Sequence, residues 1–350
     1  MEPVSEEKCN EKKDKLAVVI LNWNGLEMLR SFLPSVVQYS QQEGVAVYVA
    51  DNASSDTSCE WVEKEFPQVR IIRLEQNYGF AEGYNKALSE VSADYYLLLN
   101  SDVEVTGNWL IPLLEYMDRH PEAAACQPKL LSWHHKDQFE YAGACGGYLD
   151  KLGYPYCRGR IFDVVEKDKG QYDSIEPVFW ASGAALMVRS DDYWANGGLD
   201  GRFFAHMEEI DFCWRLRHAG RRIYCIPQSK VFHVGGGTLN KENPRKTYLN
   251  FRNNLFMLYK NLPAGQLYFI LCIRAVLDYV AAFTFLLKGQ VPNAKAVWKA
   301  RWDFWQMRSY RKEARRNVWR HVQAERIPEQ RPVSILWSYY VRRIKCFRSL

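Results

Sequence analysis

Apolar runs alternate with amphipathic stretches over the first 120 residues of the chain. Four runs are nearly continuous in apolar residues, as strands buried on both faces of a parallel sheet are: 16–23, 45–51, 69–74 and 93–102. Each is followed by a stretch predicted to be helical: 24–40, 55 to about 66, 81–91 and 108–119. Four such alternations predict a doubly wound α/β sheet, which binds its ligands at the carboxyl ends of the strands.

The regular alternation weakens after residue 130. Residues 132–175 are rich in Gly, Tyr and Asp and are predicted to be loops that cover the site. A helix over 208–220, which Gly220 ends, precedes two short strands at 223–226 and 230–234. From about residue 245 the chain is predicted to be helical, with later helices at about 292–325 and 332–347.

This pattern divides the chain into a polar tail (1–15), a catalytic domain (16–244) and a helical, basic and aromatic region (245–350). The net charge of +5 is unevenly spread: residues 245–350 hold 21 Lys/Arg against 5 Asp/Glu, a net of +16, and the rest carries −11. Such asymmetry indicates an anionic partner, either nucleic acid or a membrane surface. The 47% of apolar and 25% of charged residues exclude a disordered chain.

The cysteines and the start of the sequence indicate a cellular compartment. Nine cysteines are scattered without a C-x-x-C motif or a paired Cys/His spacing. The first residues are polar and charged, without the apolar segment of a secretory signal. Both observations predict a reducing, cytoplasmic location.

Polar residues with the chemistry of a ligand site follow three of the predicted strands. Asn22 and Asn24 end the first, Asp51 ends the second, and Asn100 and Asp102 end the fourth. Because these ends meet at one edge of the sheet, they predict a nucleotide–metal site, with the Asp102 carboxylate as the candidate ligand for a hard divalent cation. The alternative is that Asp and Asn only begin turns after the strands.

Two further segments carry ionisable groups. In the segment 206–211, Glu208 and Asp211 share one helix face while Glu209 lies on another. A carboxylate here is either a general base facing a cleft or part of an acidic first turn favoured by the helix dipole. His233 precedes a run of glycines and can reach a metal from there, although a lone histidine is more often structural.

Seven blocks of the sequence, taken together, resemble the family-2 glycosyltransferases, nearest to their rhamnosyltransferase-like branch. In chain order they are VVILNWNG (18–25), DNASSDT (51–57), NYGFAEGYN (77–85), LLLNSDVEV (97–105), SGAALMVRS (182–190), FFAHMEEIDFCWRL (203–216) and VFHVGGGT (231–238). The resemblance covers residues 16 to about 260. It implies the GT-A fold, a nucleotide-binding α/β sheet flanked by helices, and transfer of a sugar from a nucleoside diphosphate donor with inversion at the anomeric carbon.

The resemblance also implies roles for single residues. Those implied to bind the nucleotide are Asn22, Asn24, Asp51, Asn77, Gly79, Asn85 and Ser101. Asp102 matches the last acid of the family's D-x-D element and would bind Mg²⁺ or Mn²⁺, with His233 completing the site and Asn100 standing where the first acid would be.

The catalytic pair of the family is usually Glu-Asp, whereas this chain has Glu208-Glu209. The expected base is therefore Glu209, with Glu208 and Asp211 as alternates. Trp180, Ser182 and Gly183 resemble the acceptor-binding segment. Arg158 and Arg160 either meet an acceptor phosphate or belong to a solvated basic loop.

The C-terminal region suggests where the acceptor is met. Residues 267–287 are apolar except for Arg274 and Asp278, each costly at a bilayer centre, so a helix lying on the membrane is favoured over a spanning one. The tryptophans and basic residues that follow suit the headgroups of anionic lipids. RNA binding, without any RNA-binding motif, and a helical cap on the catalytic core are the alternatives.

The predicted function is the transfer of a sugar, with rhamnose as the first expectation, to a hydroxyl of a glycan or lipid-linked glycan in cell-surface polysaccharide synthesis. The enzyme would be peripheral on the inner face of the cell membrane and would bind no nucleic acid. One alternative is a nucleotidyltransferase that makes sugar nucleotides, but no Gly-rich basic loop follows the first strand. The other is an inactive, membrane-tethered binding protein.

Overall fold

The computed structural model describes residues 13–235, 243–324 and 326–350. Most of the predicted polar tail and the glycine run after Gly235 lie outside these residues. The described strands are β1 (Asp14–Asn22), β2 (Val45–Asp51), β3 (Arg70–Arg73), β4 (Ala93–Asn100), β5 (Val103–Val105), β6 (Ala123–Ser132), β7 (Gly147–Leu149), β8 (Pro155–Cys157), β9 (Arg160–Ile161), β10 (Val164–Val165), β11 (Glu176–Pro177), β12 (Ala185–Arg189) and β13 (Arg222–His233).

Ten α-helices lie within the described residues. They are α1 (Leu26–Tyr39), α2 (Ser58–Glu65), α3 (Gly79–Leu88), α4 (Ile111–Arg119), α5 (Ser190–Ala195), α6 (Glu208–His218), α7 (Pro244–Asn261), α8 (Ala264–Leu287), α9 (Val291–Gln306) and α10 (Arg308–Trp319). Short 3-10 turns lie at Gly201–Phe203 and Phe347–Ser349, and a π-helical turn lies at Trp337–Val341.

The central sheet has nine strands, with β5 paired to β13 at its side and the rest in the order β11-β13-β6-β12-β4-β1-β2-β3. Strands β1 to β4 run parallel, as predicted, whereas β12 is antiparallel to both β4 and β6. The α/β fold class is confirmed. The pairing of Asn22 with Asp51 and of Leu21 with Asn100 brings three strand ends to one edge.

The structure differs from the sequence prediction in the middle of the chain. Residues 132–175 are not loops alone, since β7 to β10 form a small antiparallel sheet there. Strand β6 was not predicted because its small residues and its buried Gln127 and Lys129 break the apolar run that marks the other strands. The two predicted strands at 223–234 are one strand, β13, whose register shifts between Ile226 and Lys230.

The predicted C-terminal helices are only partly correct. The stretch 292–325 divides at Met307 into α9 and α10, and 332–347 contains one π-helical turn rather than a regular helix. This end of the chain packs back on the catalytic part, because Phe347 contacts Tyr148, Tyr156 and Tyr172. The two predicted domains therefore share a hydrophobic core.

Candidate functional site

The ends of β1 and β2 form one side of the site. The Asn22 amide nitrogen donates to the hydroxyl oxygens of Ser58 (2.9 Å) and Ser54 (3.2 Å), and Asp51 accepts from the backbone N–H of Ser54 (3.2 Å). The carbonyl oxygen of the Asn22 side chain is buried without a hydrogen-bond partner among the described residues. Asn22 and Asp51, predicted to bind the nucleotide, are thus brought together by the parallel register.

Asn24 and Ser101 complete this side. Asn24 has a positive φ of 51°, and its side-chain oxygen accepts from the Ser55 N–H (2.7 Å), which holds the turn after β1 against the turn after β2. A methyl group on Gly25 would lie 2.4 Å from the Asn22 side-chain oxygen and 3.8 Å from the Ser101 hydroxyl. The floor of the site beside Asn22 therefore requires glycine at position 25.

The loop before α3 is supported by the protein itself. Asn52 links it to β2, accepting from Tyr78 N–H (2.9 Å) and donating to the Gly79 carbonyl (3.0 Å). The exposed Asn77 accepts from the Gly79 N–H (2.9 Å). Gly79 has a φ of 77°, and a methyl group there would lie 2.5 Å from the Phe204 ring. Gly79 thus serves a close contact with the loop that precedes α6.

Asn85 lies nearly two helical turns after Gly79, and its side chain hydrogen bonds to other parts of the protein. Its amide donates to the Leu199 carbonyl (2.7 Å), and its oxygen accepts from the Leu199 N–H (3.0 Å) and the Tyr193 hydroxyl (2.7 Å). These bonds fasten α3 to the segment that leads to α6. Both polar atoms of the Asn85 side chain thus have partners within the protein, and its predicted role toward the nucleotide stays a prediction.

Asp102 and His233 meet at the end of β4. Pairing of β5 with β13 sets Val103 opposite His233, which brings the His233 Nε2 atom to 3.1 Å from Asp102 Oδ1. The Asn100 amide nitrogen lies 3.4 Å from the same Nε2 atom. Two residues 131 positions apart in sequence, both predicted as metal ligands, are therefore adjacent.

A second acidic group, Glu140, faces His233 from the other side. One Glu140 carboxylate oxygen lies 3.4 Å from His233 Nδ1, a contact that is close enough for an ion pair but not aligned as a hydrogen bond. Burial would lower the pKa of His233, but Glu140 and Asp102 outweigh burial and raise that pKa to about 10. His233 in turn lowers the pKa of Asp102 against the effect of burial.

These residues fit a divalent cation that takes its other ligands from substrate. No cluster of three or more His, Cys, Asp or Glu side chains in the described ranges is arranged as a complete metal cage. Mg²⁺ and Mn²⁺ commonly use one or two protein ligands together with substrate phosphates and water, and a carboxylate beside an imidazole suits them. Asp102 and His233 can supply such a pair once the imidazole has given up its proton, with Glu140 behind the imidazole as its orienting partner.

The candidate base lies at the first turn of α6, after a strained loop. Phe204, His206 and Met207 all have positive φ angles (65°, 71° and 74°), which non-glycine residues seldom adopt. Burial lowers the pKa of His206 to about 4, so its imidazole is neutral near pH 7. This loop sets the direction in which the first turn of α6 enters the site.

The three acids of α6 have different surroundings. Asp211 is fully buried and is held by Lys260, Arg215 and Asn261, which commits it to the core. Glu208 is also buried, and burial followed by repulsion from Glu209 raises its pKa. Both acids are therefore shielded from solvent.

Glu209 differs from its two neighbours. Its side chain is partly exposed, with one carboxylate oxygen buried and unpaired among the described residues. Burial raises the pKa of Glu209 to about 7, which poises the carboxylate to accept a proton near neutral pH. Of the three candidate acids, Glu209 has the surroundings of a general base.

The predicted acceptor-binding residues, Trp180, Ser182 and Gly183, are all buried. Trp180 is buried, with its indole N–H donating to the Tyr148 carbonyl (3.1 Å), and Ser182 is buried, with its hydroxyl donating to the Ala142 carbonyl (2.6 Å). Gly183 is buried as well, and a methyl group there would lie 3.2 Å from the Phe80 ring and 3.8 Å from Glu209 Cβ. Gly183 thus packs beside Glu209, whereas Trp180 and Ser182 are held by the backbone of other segments.

A short series of contacts connects the base to the metal ligands. Gly183 lies against Glu209, and the carbonyl of the next residue, Ala184, accepts from the Asn100 N–H (3.0 Å). The Asn100 side chain in turn lies beside His233. The candidate base is therefore connected to the candidate metal ligands through Gly183, Ala184 and Asn100.

Sequence reasoning missed two residues of this neighbourhood, Glu140 and Asn253. Glu140 comes from the segment predicted to be loops, and Asn253 of α7 hydrogen bonds to the loop before Glu208. Arg160 was weighed only as a solvated or phosphate-binding side chain, and it is buried. The one available signal was an adjacent pair of asparagines inside a helical stretch, Asn253 and Asn254, since asparagine is a weak helix former.

Comparison with known proteins gives consistent results. The model of the family described as "Glycosyl transferase family 2" matches residues 17–138. The chain is 27% identical over 238 residues to N-acetylglucosaminyl-diphospho-decaprenol L-rhamnosyltransferase of Mycobacterium tuberculosis (strain CDC 1551 / Oshkosh), covering 63% of this chain and 76% of that protein.

Two solved structures are similar to this one. GalNAc-T7 with UDP, GalNAc and Mn²⁺ superposes with a TM-score of 0.56 at 14% identity, over 74% of this chain and 51% of that one. S. aureus TarS 1-349 in complex with UDP superposes with a TM-score of 0.55 at 15% identity, over 87% of this chain and 89% of that one. At these identities the likeness concerns the fold, which is GT-A.

Proposed function

Because this chain belongs to family 2 of the glycosyltransferases and has the GT-A fold, we propose that it moves a sugar from a nucleoside diphosphate donor to an acceptor hydroxyl with inversion at the anomeric carbon. The acceptor is a glycan or a lipid-linked glycan in cell-surface polysaccharide synthesis. Rhamnose is the first donor sugar to test, since the relative from M. tuberculosis is named a rhamnosyltransferase. The observation that carries the proposal is the contact between Asp102 and His233, together with the partly exposed Glu209 that a short series of contacts connects to them.

In this proposal Glu209 acts as the general base. A sugar hydroxyl is a weak nucleophile, and Glu209 takes its proton as the oxygen attacks the anomeric carbon from the face opposite the diphosphate. A single displacement inverts the anomeric centre and needs no nucleophile from the enzyme. The pKa of about 7 leaves a large fraction of Glu209 ionised at neutral pH.

The nucleotide and the metal occupy the other end of the site. Asp51 and Asn22 hold the nucleobase side, with Asn24 and Ser101 beside them, and Asp102 and His233 hold Mg²⁺ or Mn²⁺. When bound, the cation neutralises the negative charge on the departing diphosphate. The buried, unpaired oxygen of Asn22 supports this assignment, because it is an acceptor without a partner in the described protein.

Arg160 is proposed to contact a phosphate of one of the two substrates. Its guanidinium lies 4.5 Å from the centre of the Tyr141 ring, and its one hydrogen bond within the described residues goes to Cys157 Sγ (3.3 Å). Arg158, by contrast, donates to the backbone and the hydroxyl of Ser174 (3.0 and 2.9 Å). A buried arginine without a carboxylate partner is costly, and an anionic substrate group would compensate for it.

The enzyme is further proposed to act on the inner face of the cell membrane as a peripheral protein. The C-terminal region supports this location, because its strong positive charge would attract it to anionic lipids. Within the described residues, one helix, α8, is long and apolar enough to cross a membrane.

A donor screen tests the proposed reaction. Release of nucleoside diphosphate is followed from a panel of UDP-, dTDP- and GDP-sugars, with Mn²⁺ or Mg²⁺ and with membrane extract as the acceptor source. We expect release from one donor, dependent on metal and lost in Asp102→Ala and Glu209→Gln, with Glu208→Gln as the matched control. Release of pyrophosphate from a nucleoside triphosphate instead would indicate the nucleotidyltransferase, and no release from any donor would indicate an inactive binding protein.

A further inference from the structure

Helix α8 separates its charged and apolar residues onto opposite faces. Its two charged residues, Arg274 and Asp278, are both buried and lie four positions apart on the side that faces the protein. At 100° per residue, Phe269, Val276, Val280 and Phe283 lie within about 60° of one another on the opposite side. All four are exposed, with Phe269 at 70%. The two charges that argued against a membrane-spanning helix therefore face the protein.

The inward charges fasten α8 to the rest of the protein. Asp278 pairs with Arg301 of α9 (2.6 Å) and with Arg274 (3.5 Å). Arg274 also donates to the Leu152 carbonyl (3.2 Å) and lies 3.9 Å from the centre of the Tyr154 ring. A helix bound in this way cannot cross a bilayer as a separate element without breaking a buried ion cluster.

Helix α9 extends the exposed apolar surface. Trp298 and Trp302 are 61% and 66% exposed, and Trp298 contacts Tyr279 of α8 with ring centres 5.7 Å apart. We define the outer face as Phe269, Val276, Val280 and Phe283 of α8 with Trp298 and Trp302 of α9. Contiguous exposed apolar surface of this kind marks an interaction site in a folded protein.

The surroundings of the outer face are strongly basic. Residues 288–320 carry ten Lys/Arg against two Asp/Glu. Lys312 and Arg316 of α10 line a surface groove of about 520 Å³, and the guanidinium of the nearby Arg311 lies 4.5 Å from the centre of the Trp305 ring. Aromatic and apolar side chains bordered by basic ones match the boundary between the acyl chains and anionic headgroups of a bilayer.

We propose that the outer face docks this protein on an anionic lipid bilayer, with α8 lying in the plane of the interface rather than across it, and with α10 contacting lipid phosphates. The proposed function already places the protein at a membrane, and the outer face adds how it would bind there. Which side of the membrane it binds rests on the proposed function. A second copy of the chain is disfavoured as the occupant, because a two-fold axis would bring the same basic borders together.

Vesicle binding tests this without any sugar transfer. Purified full-length protein is mixed with vesicles of phosphatidylcholine alone or with added phosphatidylglycerol, and the bound fraction is measured by flotation. We expect binding that needs phosphatidylglycerol, weakens with salt, and falls at least about tenfold in the double variant Phe269→Ser/Val280→Ser. Lipids brominated near the headgroup should quench tryptophan fluorescence more than lipids brominated at the chain end.

Matched variants keep the test sharp. Ile111→Ser/Ile175→Ser also removes two exposed isoleucines, but from other surfaces, and should bind as wild type does. Lys312→Glu/Arg316→Glu should lose the dependence on phosphatidylglycerol. Thermal unfolding midpoints equal to wild type show that each variant folds.

Three results would overturn the proposal. They are absence of wild-type binding to anionic vesicles, equal loss in the isoleucine control, and a dimer in solution that Phe269→Ser/Val280→Ser dissociates. Resistance of the bound protein to alkaline carbonate would indicate a spanning helix instead. Failure of the donor screen with intact vesicle binding would contradict the proposed reaction and leave the docking surface standing.

Discussion

The side-chain amide of Asn253 donates to the backbone carbonyl of His206 at 2.7 Å, and it also reaches the carbonyls of Phe203 and Ala205 (3.0 and 2.8 Å). Asn253 is fully buried on α7, and His206 lies in the loop of positive φ angles that precedes the candidate base. One side chain from the C-terminal region thus holds the loop that aims Glu209.

We expect Asn253→Ala to lower kcat about tenfold or more while the KM for the donor changes little, because a misplaced base slows chemistry without touching the nucleotide end. The freed carbonyls should also cost about 1–3 kcal/mol of stability. Asn254→Ala is the control, since this neighbour is also buried but donates to Gly153 (3.0 Å). Equal losses of kcat in the two variants would show a general effect of instability.

The pH dependence of transfer reports on Glu209. With a pKa of about 7, the rate should fall as the pH drops below that value, because the protonated carboxyl cannot accept a proton. Glu209→Gln should lower kcat by about 10²–10⁴ and remove this acidic limb. A limb that persists in a Glu209→Gln variant with residual activity would assign the base elsewhere.

The raised pKa of Glu209 should also make the stability of the protein depend on pH. Its pKa is raised in the folded state, so its contribution is fully present below the ordinary value of 4.5 and is lost as the pH rises through about 7. Glu209→Gln should therefore gain stability over wild type between pH 5 and 8. The difference in thermal midpoint, measured across that range, should widen with pH, and a constant difference would contradict the raised pKa.

The fold was largely predictable from the sequence, whereas half of the site was not. The strand ends that carry Asn22, Asp51 and Asp102 follow from local apolar runs, because parallel strands deliver their carboxyl ends to one edge. The contacts of Glu140 with His233 and of Asn253 with His206 join segments far apart in the chain. No local pattern encodes such pairs, and only the packed structure brings them together.

The pattern of apolar residues did not predict those elements whose burial depends on tertiary contacts. Strand β6 carries a fully buried Lys129, whose ammonium group pairs with Asp168 (2.8 Å) and Asp173. From sequence alone, a lysine within an apolar run is predicted to be exposed, because its two distant carboxylate partners cannot be identified. The inward direction of Arg274 and Asp278 was hidden for the same reason, since their partner Arg301 lies on another helix.

Glu140 offers a test of the metal end that does not depend on activity. Partners that orient a ligating histidine typically contribute 10–100-fold to metal affinity, so we expect Glu140→Gln to weaken Mn²⁺ binding by about that factor. Free Mn²⁺ is measured by electron paramagnetic resonance in the presence of UDP. Glu122→Gln is the control, because Glu122 makes a similar contact with His120 (3.2 Å) on the exposed surface. Unchanged Mn²⁺ affinity in Glu140→Gln would leave Glu140 without a role in the metal site.

Arg160 and Arg158 make a matched pair with opposite expectations. Arg160→Met should raise the KM of the diphosphate-bearing substrate about tenfold and should stabilise the free protein, because it removes a buried charge that forms no ion pair with a carboxylate of the described residues. Arg158→Met should lower stability by about 1–3 kcal/mol, since its bonds to Ser174 are lost. Steady-state kinetics and urea unfolding measure the two effects. Loss of stability in Arg160→Met would mean that Arg160 is structural.

The buried ion cluster of α8 should dominate the stability of the C-terminal region. Asp278→Ala leaves Arg274 and Arg301 buried without their shared carboxylate, and breaking such a cluster costs about 3–5 kcal/mol. Asp94→Ala breaks an exposed pair with Lys13, whose side chains are about half exposed, and should cost about 0–1 kcal/mol. Urea unfolding followed by tryptophan fluorescence compares the two variants. Equal, small losses would mean that water reaches Asp278 and that the ion cluster does not fasten α8 to the protein. A membrane-spanning position of α8 would then be possible.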